Sequence, residues 1–141
     1  MRCQDIMKKD VECVSPKDTV QTAAVRMRDE NIGFLPVCDQ SRKVLGTITD
    51  RDLAIRVLAS GAQPNTSVQD AMTQEVVCCR PDDDLRKAEQ LMSQSRKSRI
   101  MCVDADDRLV GVISLSDIAQ TEEETEAAQT LRRVSEREVR Q

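Results

Sequence analysis

The chain has 141 residues, 39% hydrophobic and 33% charged, with four Gly and four Pro. That is the composition of one ordinary globular domain or two very small ones, not of a disordered or fibrous chain. Lys and Arg number 21 against 25 Asp and Glu, a formal charge of -4 that argues against a nucleic-acid partner. There is no His, Trp or Tyr, and Phe34 is the one aromatic residue. Serine-protease-type triads, Cys–His pairs, His-containing zinc sites and aromatic stacking platforms are thereby excluded.

The opening MRCQDIMKKD is charged from residue 2 onward and lacks a signal-peptide pattern, and no apolar run approaches a membrane span. A reduced, cytoplasmic protein without membrane contact is the expectation. The six Cys, at 3, 13, 38, 78, 79 and 102, form no CxxC pair, so zinc-ribbon and thioredoxin-like readings lack support. Cys13, Cys38 and Cys102 lie in apolar segments, where a free thiol acts as a small hydrophobe. Cys13 and Cys78 are expected to be buried and unreactive. Cys3, near the terminus, is expected to react first unless it is bonded to Cys38.

After this opening, VECV (11–14) reads as a short strand ended by Ser15-Pro16. A helix follows, with Asp18 as its cap, Gln21 at N3, and Val20, Ala23, Ala24 and Met27 at helical spacing. FLPVC (34–38) and VLGTI (44–48) are the next strands, joined by the polar turn DQSRK, and DRDLAIRVLAS (50–60) is a second helix. The same order then recurs. VVCC (76–79) is a strand, and the helix after Asp83 carries Leu85, Ala88, Leu91 and Met92. IMCV (100–103) and LVGVI (109–113) are strands, and LSDIAQ opens the last helix of the copy. CQDIM and TSVQDAM are matching short helices at the start of each copy.

Shifting the chain by 65 residues superposes 5–54 on 70–119 without a gap, and thirteen positions are identical. They include Asp5/Asp70, Met7/Met72, Pro16/Pro81, Gly46/Gly111, Ile48/Ile113 and Asp52/Asp117. The fold class is therefore α/β, as two tandem units of about β-α-β-β-α around a pseudo-twofold axis. The units span 1–60 and 70–120, with a connector at 61–69 and a charged helical tail at 121–141. One such unit buries too little to stand alone. In the tail, Thr121 and Glu124 suit a capping box, Ala127, Leu131 and Val134 make a thin apolar stripe, and Glu136 and Arg140 are an i,i+4 pair. A solvated helix and a contact helix both fit that pattern.

Two matched segments carry the candidate chemistry: Gly46-Thr-Ile-Thr49-Asp-Arg-Asp52 and Gly111-Val-Ile-Ser114-Leu-Ser-Asp117. Thr49 with Asp52, and Ser114 with Asp117, read as capping boxes, and the glycines as sites of a bulge or close packing. A ligand reading also fits. Backbone N–H groups at a helix start attract phosphate, a carboxylate accepts from both hydroxyls of a ribose, and Gly admits an approaching backbone or ligand.

These paired segments, with the V-x-x-x-P entry strands and the LPV of the first copy, resemble a tandem pair of cystathionine-beta-synthase-type (CBS) domains, the Bateman module. The resemblance covers residues 5–120 and extends to short stand-alone bacterial proteins of this type. It implies two clefts, each built from both units. In one, Asp117 would hold a ribose, Ser114 a phosphate and Ile113 the base, with Val11, Cys13, Ile32, Gly33 and Phe34 opposite. In the other, Asp52, Thr49 and Ile48 would face Val76, Cys78, Ser98 and Arg99. Arg51 and Ser116 are further phosphate candidates. Met101 stands where the family often has Pro, a change of local shape. Arg96, Lys97 and Arg99 are either a solvated run or, with Arg51 and Arg56, a phosphate rim that favours the more phosphorylated ligand at Asp52.

The expected function is a cytosolic regulatory sensor that binds AMP, ADP or ATP, with NAD or S-adenosylmethionine as further ligand classes and no enzyme cofactor. A homodimer and a separate effector protein are its implied partners. The competing readings are a ligand-free interaction module and a Mg²⁺-dependent nucleotide-processing enzyme using Asp50 with Asp52, or Asp104, Asp106 and Asp107.

Overall fold

The computed structural model describes residues 1–121 and 130–135. A single 3-10 turn at Cys3–Asp5 precedes α1 (Val20–Glu30), β1 (Phe34–Cys38), β2 (Val44–Thr49) and α2 (Asp50–Asp52), which continues as a wider π-helical turn over Leu53–Leu58. Then come α3 (Val68–Ala71), β3 (Cys78–Cys79), α4 (Leu85–Ser95), β4 (Arg99–Val103), β5 (Leu109–Ser114) and α5 (Leu115–Thr121). β1 and β2 form an antiparallel pair, while β3 runs parallel to β4, which is antiparallel to β5.

The strand expected at 11–14 is reduced to one bridge, Val14 with Val37, whereas its counterpart pairs at both Cys78 and Cys79. The cause is Pro36, which has no N–H to give to a neighbouring strand, where Met101 does. Val14 donates to the Pro36 carbonyl at 2.9 Å and accepts from Cys38 N at 3.0 Å, and the ladder stops there.

Helix caps also fall one residue later than the sequence suggested. Thr19 caps α1, its Oγ1 accepting from Thr22 N at 3.1 Å, and Asp84 caps α4, accepting from Arg86 N at 2.9 Å. Asp18 and Asp83 instead close the preceding turns, accepting from Ser15 N at 2.9 Å and Arg80 N at 2.7 Å. Ala24 faces solvent, so the buried stripe of α1 is Val20, Ala23 and Met27. Both helices end in a left-handed residue, Asn31 (φ 54°) and Arg96 (φ 56°). Both hairpin turns are tied by an aspartate. Asp39 accepts from Ser41 N and Lys43 N, Asp104 from Asp106 N and Arg108 N.

The chain divides into two compact units that differ from the sequence repeats by one segment each. A continuous unit is Glu12–Val76, and a split unit joins Met1–Val11 to the described residues from Val77 on. The lead-in of each repeat thus packs with the other repeat. In the split unit Lys8 and Val112 exchange backbone hydrogen bonds of 2.9 and 3.0 Å, and in the continuous unit Thr73 and Thr47 do the same at 2.8 and 2.9 Å. Lys8 and Thr73 are 65 residues apart, as are Thr47 and Val112.

Each unit has its own core. Val14, Val20, Ala23, Met27, Leu35, Val37, Ile48, Val68 and Ala71 fill the continuous one. Cys3, Cys79, Leu85, Ala88, Met92, Ile100, Cys102, Ile113 and Ile118 fill the split one. Cys3 is 0% exposed, so it is not the accessible thiol its place in the chain suggested, and its neighbours are Cys79 and Cys102 rather than Cys38. All six cysteines are free. Residues 130–135 are helical, with Val134 buried and Leu131 exposed. Glu124, Ala127, Glu136 and Arg140 lie outside the described residues. Among the described residues no helix is long and apolar enough to cross a membrane.

Candidate functional site

Each unit turns a corner where its last strand runs into a helix, and both corners are closed by reciprocal capping. Thr49 N donates to Asp52 Oδ2 at 3.0 Å and Asp52 N to Thr49 Oγ1 at 3.1 Å. Ser114 N donates to Asp117 Oδ2 at 2.9 Å and Asp117 N to Ser114 Oγ at 3.2 Å. The capping reading of the sequence is therefore realised twice. It consumes one carboxylate oxygen at each corner and leaves the other, Oδ1, to be accounted for.

The helix starts have few donors to spare for phosphate. Asp50 N donates to Gly33 O at 3.0 Å and Leu115 N to Ser98 O at 2.8 Å. Asp50 Oδ1 also accepts from Arg51 N. At the Asp52 corner the amides of Thr49, Asp50, Arg51 and Asp52 are all bonded, and at the Asp117 corner those of Ser114, Leu115 and Asp117 are. Cationic side chains and hydroxyls can add to what the amides supply.

At the Asp52 corner the second oxygen has two side chains of the same unit beside it. Thr73 Oγ1 donates to Asp52 Oδ1 at 3.3 Å and also lies 3.5 Å from Oδ2. Arg56 Nε stands 3.8 Å from Oδ1, while its Nη1 donates to the carbonyls of Ala71 and Met72 at 3.3 and 2.6 Å. Arg56 is thus engaged within its own unit. Asp52 itself is 9% exposed.

The Asp117 corner is built differently. Its Oδ1 has one neighbour among the described residues, Lys8 Nζ at 4.0 Å, and that lysine side chain is 74% exposed. Ser116 Oγ lies 2.9 Å from Ser114 Oγ, placing two hydroxyls beside the carboxylate. Arg99 stands opposite Ser114 in the β4–β5 register, where the continuous unit has Phe34 opposite Thr49.

Gly46 and Gly111 hold matching places in β2 and β5, and what approaches them is the exchanged lead-in. A Cβ on Gly46 would stand 2.5 Å from Thr73 O, and one on Gly111 would stand 2.7 Å from Met7 Sδ and 3.0 Å from Lys8 O. Ile48 and Ile113 are 0% exposed, so their side chains belong to the cores and leave only backbone for a base.

The other candidates are distributed between the units. Cys13, Ile32, Gly33, Phe34, Thr49, Arg51, Asp52 and Val76 belong to the continuous unit. Val11, Cys78, Ser98, Arg99, Ser114, Ser116 and Asp117 belong to the split one. Cys13 and Cys78 are half-buried equivalents with opposite acidity. The Cys38 thiol hydrogen-bonded to Cys13 lowers it to about 7, helped by Arg42 and Arg26, whereas burial raises Cys78. Both thiols are less buried than the sequence suggested, and the lowered Cys13 value sets it apart from Cys78. Thr73, Lys8 and Arg56 matter most to the corners, and two of the three escaped the sequence reading. Only their shared offset of 65 from one another, Lys8 to Thr73, could have flagged them.

Two tandem α/β repeats, each closing its last strand with Thr/Ser-x-x-Asp in a capping box, define a repeated small-domain pair. The chain belongs to the CBS domain family, whose profile matches residues 3–59 and 68–124. It is 38% identical over 125 residues to the CBS domain-containing protein YhcV of Bacillus subtilis, covering 89% of this chain and 88% of that one. It is also 36% identical to inosine-5'-monophosphate dehydrogenase of Methanocaldococcus jannaschii, over 90% of this chain but 25% of that enzyme. Among solved structures, it resembles the CBS domain pair of protein MJ0100 in complex with 5'-methylthioadenosine and S-adenosyl-L-methionine. That match has a TM-score of 0.75 at 28% identity, covering 85% of this chain and 94% of the other.

Proposed function

We propose that this chain is a regulatory module that binds an adenine nucleoside or nucleotide and signals its occupancy to a separate effector protein. The observation that carries the reading is the Asp117 corner. A capped carboxylate keeps one oxygen toward a diol, two serine hydroxyls adjoin it, and Lys8 and Arg99 supply positive charge for an anionic group. The likeness to a CBS pair crystallised with two adenosine derivatives supports the choice of ligand class. Binding would act by biasing the conformations the pair samples, so the output is a shift in population rather than a chemical product.

Titration calorimetry with AMP, ATP, S-adenosylmethionine and 2'-deoxy-AMP tests this. Asp117→Asn keeps a cap acceptor but turns one oxygen into a donor. The loss of a charged hydrogen bond of this kind costs about 1.5–3 kcal/mol, or about ten- to a hundredfold in affinity. The wild type should discriminate against 2'-deoxy-AMP and the variant should do so much less. A folded wild type that binds none of these ligands refutes the reading.

A further inference from the structure

We infer that Cys3, Cys79 and Cys102 form a redox latch, in which a hydroperoxide oxidises Cys3 and a disulfide to Cys102 or Cys79 then ties the lead-in to the split unit. The latch is independent of any nucleotide.

The repeat identifies what these thiols replace. At the 65-residue offset, Cys3, Cys79 and Cys102 correspond to Val68, Val14 and Val37. All six side chains are buried, at 3% exposure or less. Their backbones are held alike. Cys3 N donates to Asp83 O at 2.9 Å and Gln4 N to Pro81 O at 2.8 Å, while Val68 N donates to Asp18 O at 2.8 Å and Gln69 N to Pro16 O at 3.0 Å. Cys79 lies parallel beside Cys102 as Val14 does beside Val37. Three valines satisfy the packing of one core, so the thiols of the other bring a chemistry that packing does not ask for.

The three thiols meet. Cys79 Sγ lies 3.3 Å from Cys102 Sγ, and Cys3 is hydrogen-bonded to both. Their roles are unequal. Hydrogen bonds from Cys102 and Cys79 hold Cys3 well below the ordinary thiol range, whereas the bond to Cys3 pushes Cys102 up, and bonds to Cys102 and Cys3 push Cys79 up. Cys3 is therefore the thiolate, the form that attacks a peroxide, and the other two are its resolving thiols. Cys3 also sits outside the β3–β4–β5 sheet, on a segment joined to it by a single turn and isolated bridges. Such a segment opens locally without breaking the sheet.

When the lead-in lifts, the Cys3 thiolate attacks the peroxide and the O–O bond breaks. Cys3 becomes a sulfenic acid, and the departing alkoxide or hydroxide takes a proton from water. On redocking, the sulfur of Cys102 or Cys79 attacks the Cys3 sulfur. The S–S bond forms, the S–O bond breaks, and the thiol proton leaves with the hydroxyl as water. Two thiols are oxidised and one peroxide is reduced. The product fastens the segment that places Met7 against Gly111 and Lys8 beside Asp117.

The test treats the reduced, folded full chain with hydrogen peroxide and maps its peptides by mass spectrometry without reductant. Cys3 should be recovered bonded to Cys102 or Cys79. Cys38→Val, which copies Val103, removes the Cys13–Cys38 pair from a second readout, the urea midpoint of unfolding. Oxidation should raise that midpoint, because the cross-link constrains the unfolded chain, and dithiothreitol should return it. Cys3→Val copies Val68, keeps the packing and should lose both the link and the shift; Cys3→Ser serves if the valine variant does not fold. A Cys79–Cys102 link with Cys3 free, Cys3 recovered as thiol or sulfinic acid, or a Cys3 link that forms only in urea would each overturn the inference.

Discussion

Cys13 and Cys78 stand at the same place in the two copies, yet their neighbours make them different acids. Position 38 holds a thiol and position 103 a valine, so Cys13 has a partner that donates to its thiolate and Cys78 has none of that kind. Arg42 and Arg26 add positive charge near Cys13, and burial opposes them. A lowered value enriches the thiolate at neutral pH, to about half at pH 7 where an ordinary thiol has only a few per cent. Native alkylation of Cys13 by iodoacetamide should therefore be half-maximal near pH 7 and level off above pH 8. Cys38→Ala should move that midpoint up toward the ordinary thiol range. A rate that keeps climbing through pH 9 in the wild type would contradict the assignment. In the split unit, hydrogen bonds to Cys102 and Cys3, with burial, push Cys79 upward, and its Sγ lies 3.3 Å from that of Cys102. That thiol cluster should stay unlabelled while the unit is folded.

Among the elements, the glycine strands and the lead-in segments act as a pair. Gly46 is needed because the Thr73 carbonyl passes where a Cβ would be, and that carbonyl is fixed by its bond from Thr47 N at 2.9 Å. Gly111 meets mainly the flexible Met7 side chain. Overpacking of this kind typically costs about 1–3 kcal/mol. Gly46→Ala should fall toward the upper end and Gly111→Ala toward the lower, as read by urea unfolding of each variant; the reverse order would mean the backbone contact is the softer one. Much of this architecture was legible from residues alone. The gapless repeat located both helices, both hairpins and both capped corners, because apolar period, Pro and Asp positions report local structure directly. The missing strand at 11–14 was not legible, since its loss comes from a proline on a different strand. The hydrogen bond from Thr73 to Asp52 was not legible either. It depends on which distant segment lies against β2, and nothing local to Thr73 announces that it will meet a carboxylate 21 residues earlier.

At the scale of the molecule, the two units are unequal in connectivity. The continuous unit holds all its parts in Glu12–Val76, whereas the split unit needs Met1–Val11. Those eleven residues give it Cys3 in the core, Ile6 and Met7 packed against that core, and Lys8 beside Asp117. Fragments cut after Val76 should behave accordingly. Residues 77–141 alone should show little cooperative unfolding and should label at Cys79 and Cys102, and addition of a peptide of residues 1–11 should restore protection. Residues 12–76 should gain nothing from that peptide. Thiol labelling with mass spectrometry reads both results, and protection of 77–141 without the peptide would show that the lead-in is dispensable.

The split unit also has a history in time. A chain made from its amino end completes the continuous unit once Val76 has emerged, but the partners of residues 1–11 include Val112 and Ile118, which are polymerised much later. At usual elongation rates of about 5–20 residues per second, that leaves the first segment waiting for roughly 5–20 s. During that interval Cys3, Ile6 and Met7 are uncovered on the nascent chain, a short apolar stretch open to chaperones and, through its thiol, to oxidants, until the second repeat arrives to enclose it.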